Sequence, residues 1–162
     1  LKGIDLIMEK MIIFDLDGTI ADLYSVNNWL EYLRSENELP YRIAKPLYDM
    51  VELNDLLLRL KGHGYRIVVT SWLSKDSTKE YNKKVRKAKK EWLNKYNFPY
   101  DEIHLVKYGT PKAYVTKAKA DIQILVDDNA DVRTKFENYK SAVSNTTINA
   151  KENIITELYK LL

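Results

Sequence analysis

The chain has no cysteine among its 162 residues. Disulfides, thiolate zinc sites and a cysteine nucleophile are therefore excluded. It has two histidines, His63 in a Gly-His-Gly turn and His104 inside a strand-like run. Neither has the partner spacing of a metal site or a catalytic triad. No apolar stretch is long enough to span a membrane. Residues 1–10 are interrupted by Asp5, Glu9 and Lys10, which does not fit a signal peptide and suggests an extension without catalytic importance. Internal repeats, low-complexity tracts and an interdomain linker are also absent. The length fits one domain with a sizeable core, and a cytoplasmic location is the expectation.

What is present is concentrated in a short acidic turn. Asp15-Leu16-Asp17-Gly18-Thr19 follows the apolar run Met11-Ile12-Ile13-Phe14, which reads as a buried strand delivering two carboxylates at its C-terminal end. Gly18 relaxes the turn sterically, and Thr19 adds a hydroxyl. Two like charges so close need a bound cation or a shared proton. A second strand, residues 65–69, ends in Thr70-Ser71, and a third, residues 122–126, ends in Asp127-Asp128-Asn129. In an open parallel sheet, ligands bind beyond the C-terminal ends of the strands, so the three ends point to one cleft. Lys112, in Gly109-Thr110-Pro111-Lys112, stands just ahead of the third strand and offers a cation for substrate anions.

With these four elements in this order, the chain resembles the haloacid dehalogenase superfamily of phosphohydrolases over about residues 11–140. The resemblance implies an α/β fold: a Rossmann-like core with a mainly parallel sheet flanked by helices, and a small helical cap at residues 22–46. It implies a single domain over residues 1–162 and Mg²⁺ as cofactor, the ligands being hard oxygens. It also assigns roles. Asp15 is the nucleophile that forms an aspartyl-phosphate, and Asp17 is the general acid and then base. Asp15, the backbone of Asp17, and Asp127 or Asp128 hold the metal. Thr70, Ser71 and Lys112 contact the phosphoryl group. Within the superfamily, Thr70-Ser71-Trp72 followed by a late tryptophan, Trp92, is similar to the 5'(3')-deoxyribonucleotidase branch, and Trp72 is assigned to the substrate. The proline usual between the serine and tryptophan of that branch is absent here, and the insertion is smaller.

The remaining elements alternate as in an α/β domain. Helices are expected at 21–35, 47–61, 112–119, 131–138 and 152–161, the last capped by Asn149. Further strands are expected at 103–106 and 142–148. Residues 75–95 carry nine Lys or Arg against Asp76, Glu80 and Glu91, within a net charge of +3. Tyr81, Val85, Ala88, Trp92 and Tyr96 give this segment one apolar face, so it reads as a helix on the sheet with a solvated basic side. The sharper alternative is a patch that attracts phosphorylated substrates or nucleic acid. Tyr24, Trp29, Tyr32, Tyr41 and Tyr48 supply aromatic surface near the cap, for a base or for the core.

These observations lead to a phosphomonoester hydrolase, with a nucleotide as expected substrate and deoxynucleoside monophosphates foremost. The alternatives are a sugar phosphate, the 3'-phosphate end of a nucleic acid, or a fold retained for binding without turnover. The sequence does not indicate an oligomeric state.

Overall fold

The computed structural model describes residues 8–116, 120–139 and 144–162. Five strands form a single sheet: β1 (Lys10–Phe14), β4 (Tyr65–Trp72), β5 (Glu102–Val106), β6 (Ile122–Asp127) and β7 (Ser144–Asn149). Their spatial order is β5-β4-β1-β6-β7, and every neighbouring pair is parallel. This is the α/β architecture expected from the sequence. β1 lies at the centre because its run is apolar without interruption, and a central parallel strand is covered on both faces. The chain turns to one side of β1 for β4 and β5, then crosses to the other for β6 and β7. The crevice where the order reverses lies at the C-terminal ends of β1, β4 and β6.

The two-residue period of the strands sorts their side chains into two cores. Ile12, Phe14, Ile67, Val69, Ile124 and Val126 face one side, where Leu53, Leu56, Leu57 and Leu60 of α3 (Met50–Gly62) meet Ile154 and Leu158 of α7 (Ile154–Tyr159). Met11, Ile13, Val68 and Leu125 face the other, against Ala113 of α5 (Lys112–Thr116) and Val132 and Phe136 of α6 (Ala130–Glu137). The register sets Ile12 beside both Ile67 and Ile124, so each layer continues across the strands.

The basic segment forms α4 (Lys79–Lys95), capped by the Thr78 hydroxyl, which accepts from the amide of Tyr81. Its apolar stripe divides: Trp92 and Leu93 join the sheet core, whereas Tyr81, Val85 and Ala88 meet Leu73, Leu105, Leu23 and Tyr41.

Several boundaries differ from the sequence expectation, each for a local reason. The helix expected at 21–35 is broken. Ala21–Asp22 forms a two-residue strand, β2, and Leu23–Ser25 a single 3-10 turn. Only α1 (Trp29–Arg34) is helical, beginning after Asn28 at φ 61°. Asparagine tolerates this left-handed conformation, and it ends any continuous helix from residue 21. After α2 (Leu39–Ile43), β3 (Lys45–Pro46) pairs antiparallel with β2, so the insertion starts and ends at one point. α3 begins at Met50 rather than 47 because the Asp49 side chain accepts from the amides of Val51 and Glu52. Likewise Asn153, not Asn149, caps α7, accepting from Ile155 and Thr156. Asn149 instead ends β7 and holds the amide of Lys151. The expected helix end at 117–119 and strand start at 142–143 lie outside the described residues, as does most of the expected extension. Among the described residues, no helix is long and apolar enough to cross a membrane.

Leu57 is fully buried, whereas Val51 on the same helix is 73% exposed. Leu57→Ala is therefore expected to cost about 3 kcal/mol in a denaturant titration, and Val51→Ala less than about 0.5 kcal/mol. Equal losses would contradict the assigned helix faces.

Candidate active site

β1 ends by handing Asp15 to the crevice, where its amide donates to the carbonyl of Val126 on β6 (3.0 Å). The following turn is tight. Gly18 sits at φ +81°, and a Cβ there would come within 2.5 Å of Asp128 Oδ2 and 2.7 Å of the Tyr24 ring. The turn therefore requires glycine for both its backbone and its space. β6 supplies Asp127 as its last residue and Asp128 just beyond it.

The two buried lysines come from different elements. Lys112, at the start of α5, donates to Asp15 Oδ1 (2.8 Å) and Asp127 Oδ2 (2.7 Å). Burial alone would lower the pKa of its ammonium, but Asp15 and Asp127 outweigh that and raise it. The Thr19 hydroxyl donates to Asp15 Oδ2 (2.9 Å), so both oxygens of Asp15 are held. The Asn129 amide donates to Asp127 Oδ1 (2.9 Å). Carboxylate oxygens of Asp15, Asp127 and Asp128 lie within 4.8 Å of one another, an arrangement that could hold a metal ion. These are hard oxygen donors, the chemistry that suits Mg²⁺. Burial, then the neighbouring Asp15 and a hydrogen bond shared with it, push the Asp128 carboxyl up to about 7. Burial and Asp15 also raise Asp127, against the pull of Lys112.

The second lysine, Lys89, has no counterpart among the sequence expectations. It is 1% exposed and reaches from α4 into the floor of the site. It donates to Asp17 Oδ2 (2.9 Å), Ser71 Oγ (2.7 Å) and the carbonyl of Trp72 (2.7 Å), with the Tyr41 ring 4.8 Å away. Burial raises the Asp17 carboxyl above its ordinary range, and Lys89 acts against that rise. The signal for Lys89 lies in the helical spacing. It stands four residues after Val85 and three before Trp92, on the apolar stripe, where an unpaired lysine would be costly.

Asp15, Asp17, Ser71, Trp72, Lys112, Asp127 and Asp128 all line one cavity of about 540 Å³. Thr70 does not line it: its side chain is fully buried and its hydroxyl has no partner among the described residues. Of the pair, only Ser71 is among the residues that line the cleft. Aromatic pairs stand on two of the walls. Tyr24 meets Trp29 edge-on at 4.9 Å, and Trp72 meets Tyr108 at 5.0 Å. The Trp72 indole is fixed by donating to the carbonyl of Thr110 (2.8 Å). Leu30, Leu33 and Tyr41 of the insertion complete the upper wall.

No protein-family model matches the chain, and no curated protein matches it. Solved structures do resemble it. One is a chain of the Pnkp1/Rnl/Hen1 RNA repair complex, with a TM-score of 0.56 and 19% identity over 88% of this chain. This chain spans only 43% of that one. Another is the D,D-heptose 1,7-bisphosphate phosphatase from Burkholderia thailandensis, with a TM-score of 0.47 and 12% identity. That match covers 93% of this chain and 99% of the phosphatase. At these identities the likeness is one of fold. The parallel five-stranded sheet with flanking helices is a Rossmann-like α/β core.

Two outcomes follow from the buried charges. Asp128 titrates near 7 when folded, against about 4 when unfolded. Between those values the folded state binds more protons, so stability falls as pH rises. Thermal melts from about pH 5 to pH 8 are expected to show this fall without metal, and Mg²⁺ restoring more at the alkaline end. A Mg²⁺ effect equal at every pH would contradict the shared proton. Separately, Lys89→Met leaves Asp17 buried without its partner and is expected to cost roughly 3 kcal/mol in denaturant titration. Asp17→Asn in that background should recover most of the loss. A double variant no more stable than the single one would show that Lys89 acts through packing alone.

Proposed function

We propose that this protein is a Mg²⁺-dependent phosphomonoester hydrolase that works through an aspartyl-phosphate and acts on nucleotides, deoxynucleoside monophosphates foremost. The observation that carries the reading is the gathering of Asp15, Asp17, Lys112, Asp127 and Asp128 in one cavity, at the reversal point of the parallel sheet.

Phosphate monoesters hydrolyse extremely slowly unaided, so a catalyst must position the reactants and stabilise charge. Asp15 is suited to in-line attack because Thr19 and Lys112 hold its two oxygens and leave lone pairs free. In the first step an Asp15 oxygen bonds to phosphorus, and the P–O bond to the leaving group breaks. The departing oxygen takes a proton from Asp17. In the second step Asp17, now a carboxylate, accepts a proton from water. The resulting hydroxide attacks the phosphoryl-aspartate, releasing phosphate and regenerating Asp15. The raised pKa of Asp17 favours the protonated state that the first step needs. Ser71 and Lys112 face the position of the phosphoryl oxygens.

Asp15, Asp128 and the Asp17 carbonyl are the assigned metal ligands. Asp127 already receives Lys112 and the Asn129 amide, which leaves Asp128 as the carboxylate that can exchange its shared proton for a cation. Mg²⁺ bound there neutralises the carboxylates and polarises the phosphoryl group. The aromatic walls support a substrate carrying a base, since a flat ring stacks on such surfaces. They fit a bare sugar phosphate less well.

Phosphate release should be measured with Mg²⁺ on deoxy- and ribonucleoside monophosphates and sugar phosphates. Asp15→Asn is expected to lower turnover by roughly three orders of magnitude or more while the melting transition remains cooperative. Chelation of Mg²⁺ should abolish turnover reversibly. Undiminished activity in the variant would rule out the nucleophile, and a folded wild type that releases phosphate from nothing would favour a binding protein.

A further inference from the structure

The floor of the cleft is acidic, but the surface beside it has the opposite charge. Past the loop at 73–76 and Tyr108, a second cavity of about 370 Å³ opens, with Lys75, Arg86 and Lys107 in its wall and Asp76 as its only acid. Leu73, Ser74, Lys75, Asp76 and Tyr108 line both cavities, so the two share a rim. Lys89 and Lys112 each meet carboxylates in the floor. Lys75, Arg86 and Lys107 form no ion pair among the described residues. Cations gathered in a concave wall without carboxylate partners attract an anion from solution.

The second cavity is also shaped. Arg86 donates to the carbonyl of Leu105 (2.7 Å), which fixes one edge of its guanidinium. Lys75 stands 6.0 Å above the Tyr108 ring, and Tyr108 packs on Trp72. The route from the acidic floor to the basic wall therefore crosses an aromatic ledge. An anion site, an aromatic surface and a second anion site in succession match phosphate, base and phosphate along a single nucleic-acid strand. On α4, Lys79, Lys83 and Lys90 lie seven and three residues before Arg86 and four after it, all exposed. That spacing continues the basic surface along the same helix face. A mononucleotide has one phosphate, which the floor takes, and leaves the second wall without an anion.

We infer that the basic cavity is a second anion subsite that seats the phosphodiester next to the terminal phosphate, so the substrate is the phosphorylated end of a single-stranded oligonucleotide. The inference rests on the hydrolase reading for its chemistry and deepens the substrate class beyond the mononucleotide. The reaction is unchanged: the terminal P–O bond breaks, water supplies the hydroxyl, and the strand leaves with a free hydroxyl end.

The test compares wild type with Lys107→Glu and with Lys107→Glu/Arg86→Gln, neither residue lining the catalytic cavity. Substrates are p-nitrophenyl phosphate, a nucleoside monophosphate, a sugar bisphosphate, and single strands of about ten nucleotides phosphorylated at the 3' or 5' end. Wild type is expected to prefer one of the phosphorylated strands. Lys107→Glu should raise KM for that strand about tenfold, leaving its kcat and the p-nitrophenyl phosphate kinetics unchanged. Added salt should raise KM for the strand far more than for the small esters. No preference for a strand overturns the inference, as does an equal loss on the mononucleotide or the sugar bisphosphate. If no ester is hydrolysed, the hydrolase reading falls and fluorescence anisotropy with a labelled phosphorylated strand decides the subsite. Salt-sensitive binding that Lys107→Glu removes upholds it, and binding that is absent or indifferent to the charge reversal overturns it.

Discussion

Repulsion among four carboxylates held at one end of the sheet is the constraint on which the site depends. Asp15, Asp17, Asp127 and Asp128 are brought together because parallel strands all end on the same edge, with Asp15 and Asp127 buried and Asp17 and Asp128 half-buried. In such surroundings like charges are costly unless they are paired or protonated. Lys112 answers Asp15 and Asp127, and Lys89 answers Asp17. The gathering of Asp15, Asp127 and Asp128 is compatible with a small hard cation held among them.

α4 ties this electrostatic arrangement to the rest of the molecule. It packs on the sheet through Trp92 and Leu93 and sends Lys89 to Asp17. It also carries the insertion. Glu36 accepts from the amide and hydroxyl of Thr78 at the helix start, the Tyr81 hydroxyl donates to the carbonyl of Asn37, and the Trp92 indole donates to that of Ala44. Arg42 and Glu91 add an ion pair. The general-acid candidate and the upper wall of the cavity are thus anchored on the same rigid rod.

The strands were legible because each central one carries an apolar run that stops at polar groups, as with Ile13-Phe14-Asp15 and Leu125-Val126-Asp127. The convergence of their ends followed from topology alone. Lys89 was hidden for a physical reason: it is one of nine cations in a segment whose solvated face dominates its composition. Only its register with Val85 and Trp92 separates it from Lys87 and Lys90. The helix expected at 21–35 is broken because Asn28 takes a left-handed backbone state that the periodic Val26, Trp29, Leu30 and Leu33 do not announce. Which of Thr70 and Ser71 lines the cleft depends on how the end of β4 packs against its neighbours, which the pair of hydroxyls alone does not show.

The short pairing of Ala21–Asp22 with Lys45–Pro46 has a consequence for how such a protein can change. Because the excursion between them leaves and rejoins the core at adjacent points, its length is mechanically invisible to the sheet. Length changes in its loops, away from Glu36, Asn37, Tyr41, Arg42 and Ala44, leave the turn that carries Asp15 and Asp17 untouched. The excursion is closed at that seam and braced a second time on α4, so its loops are the part free to vary.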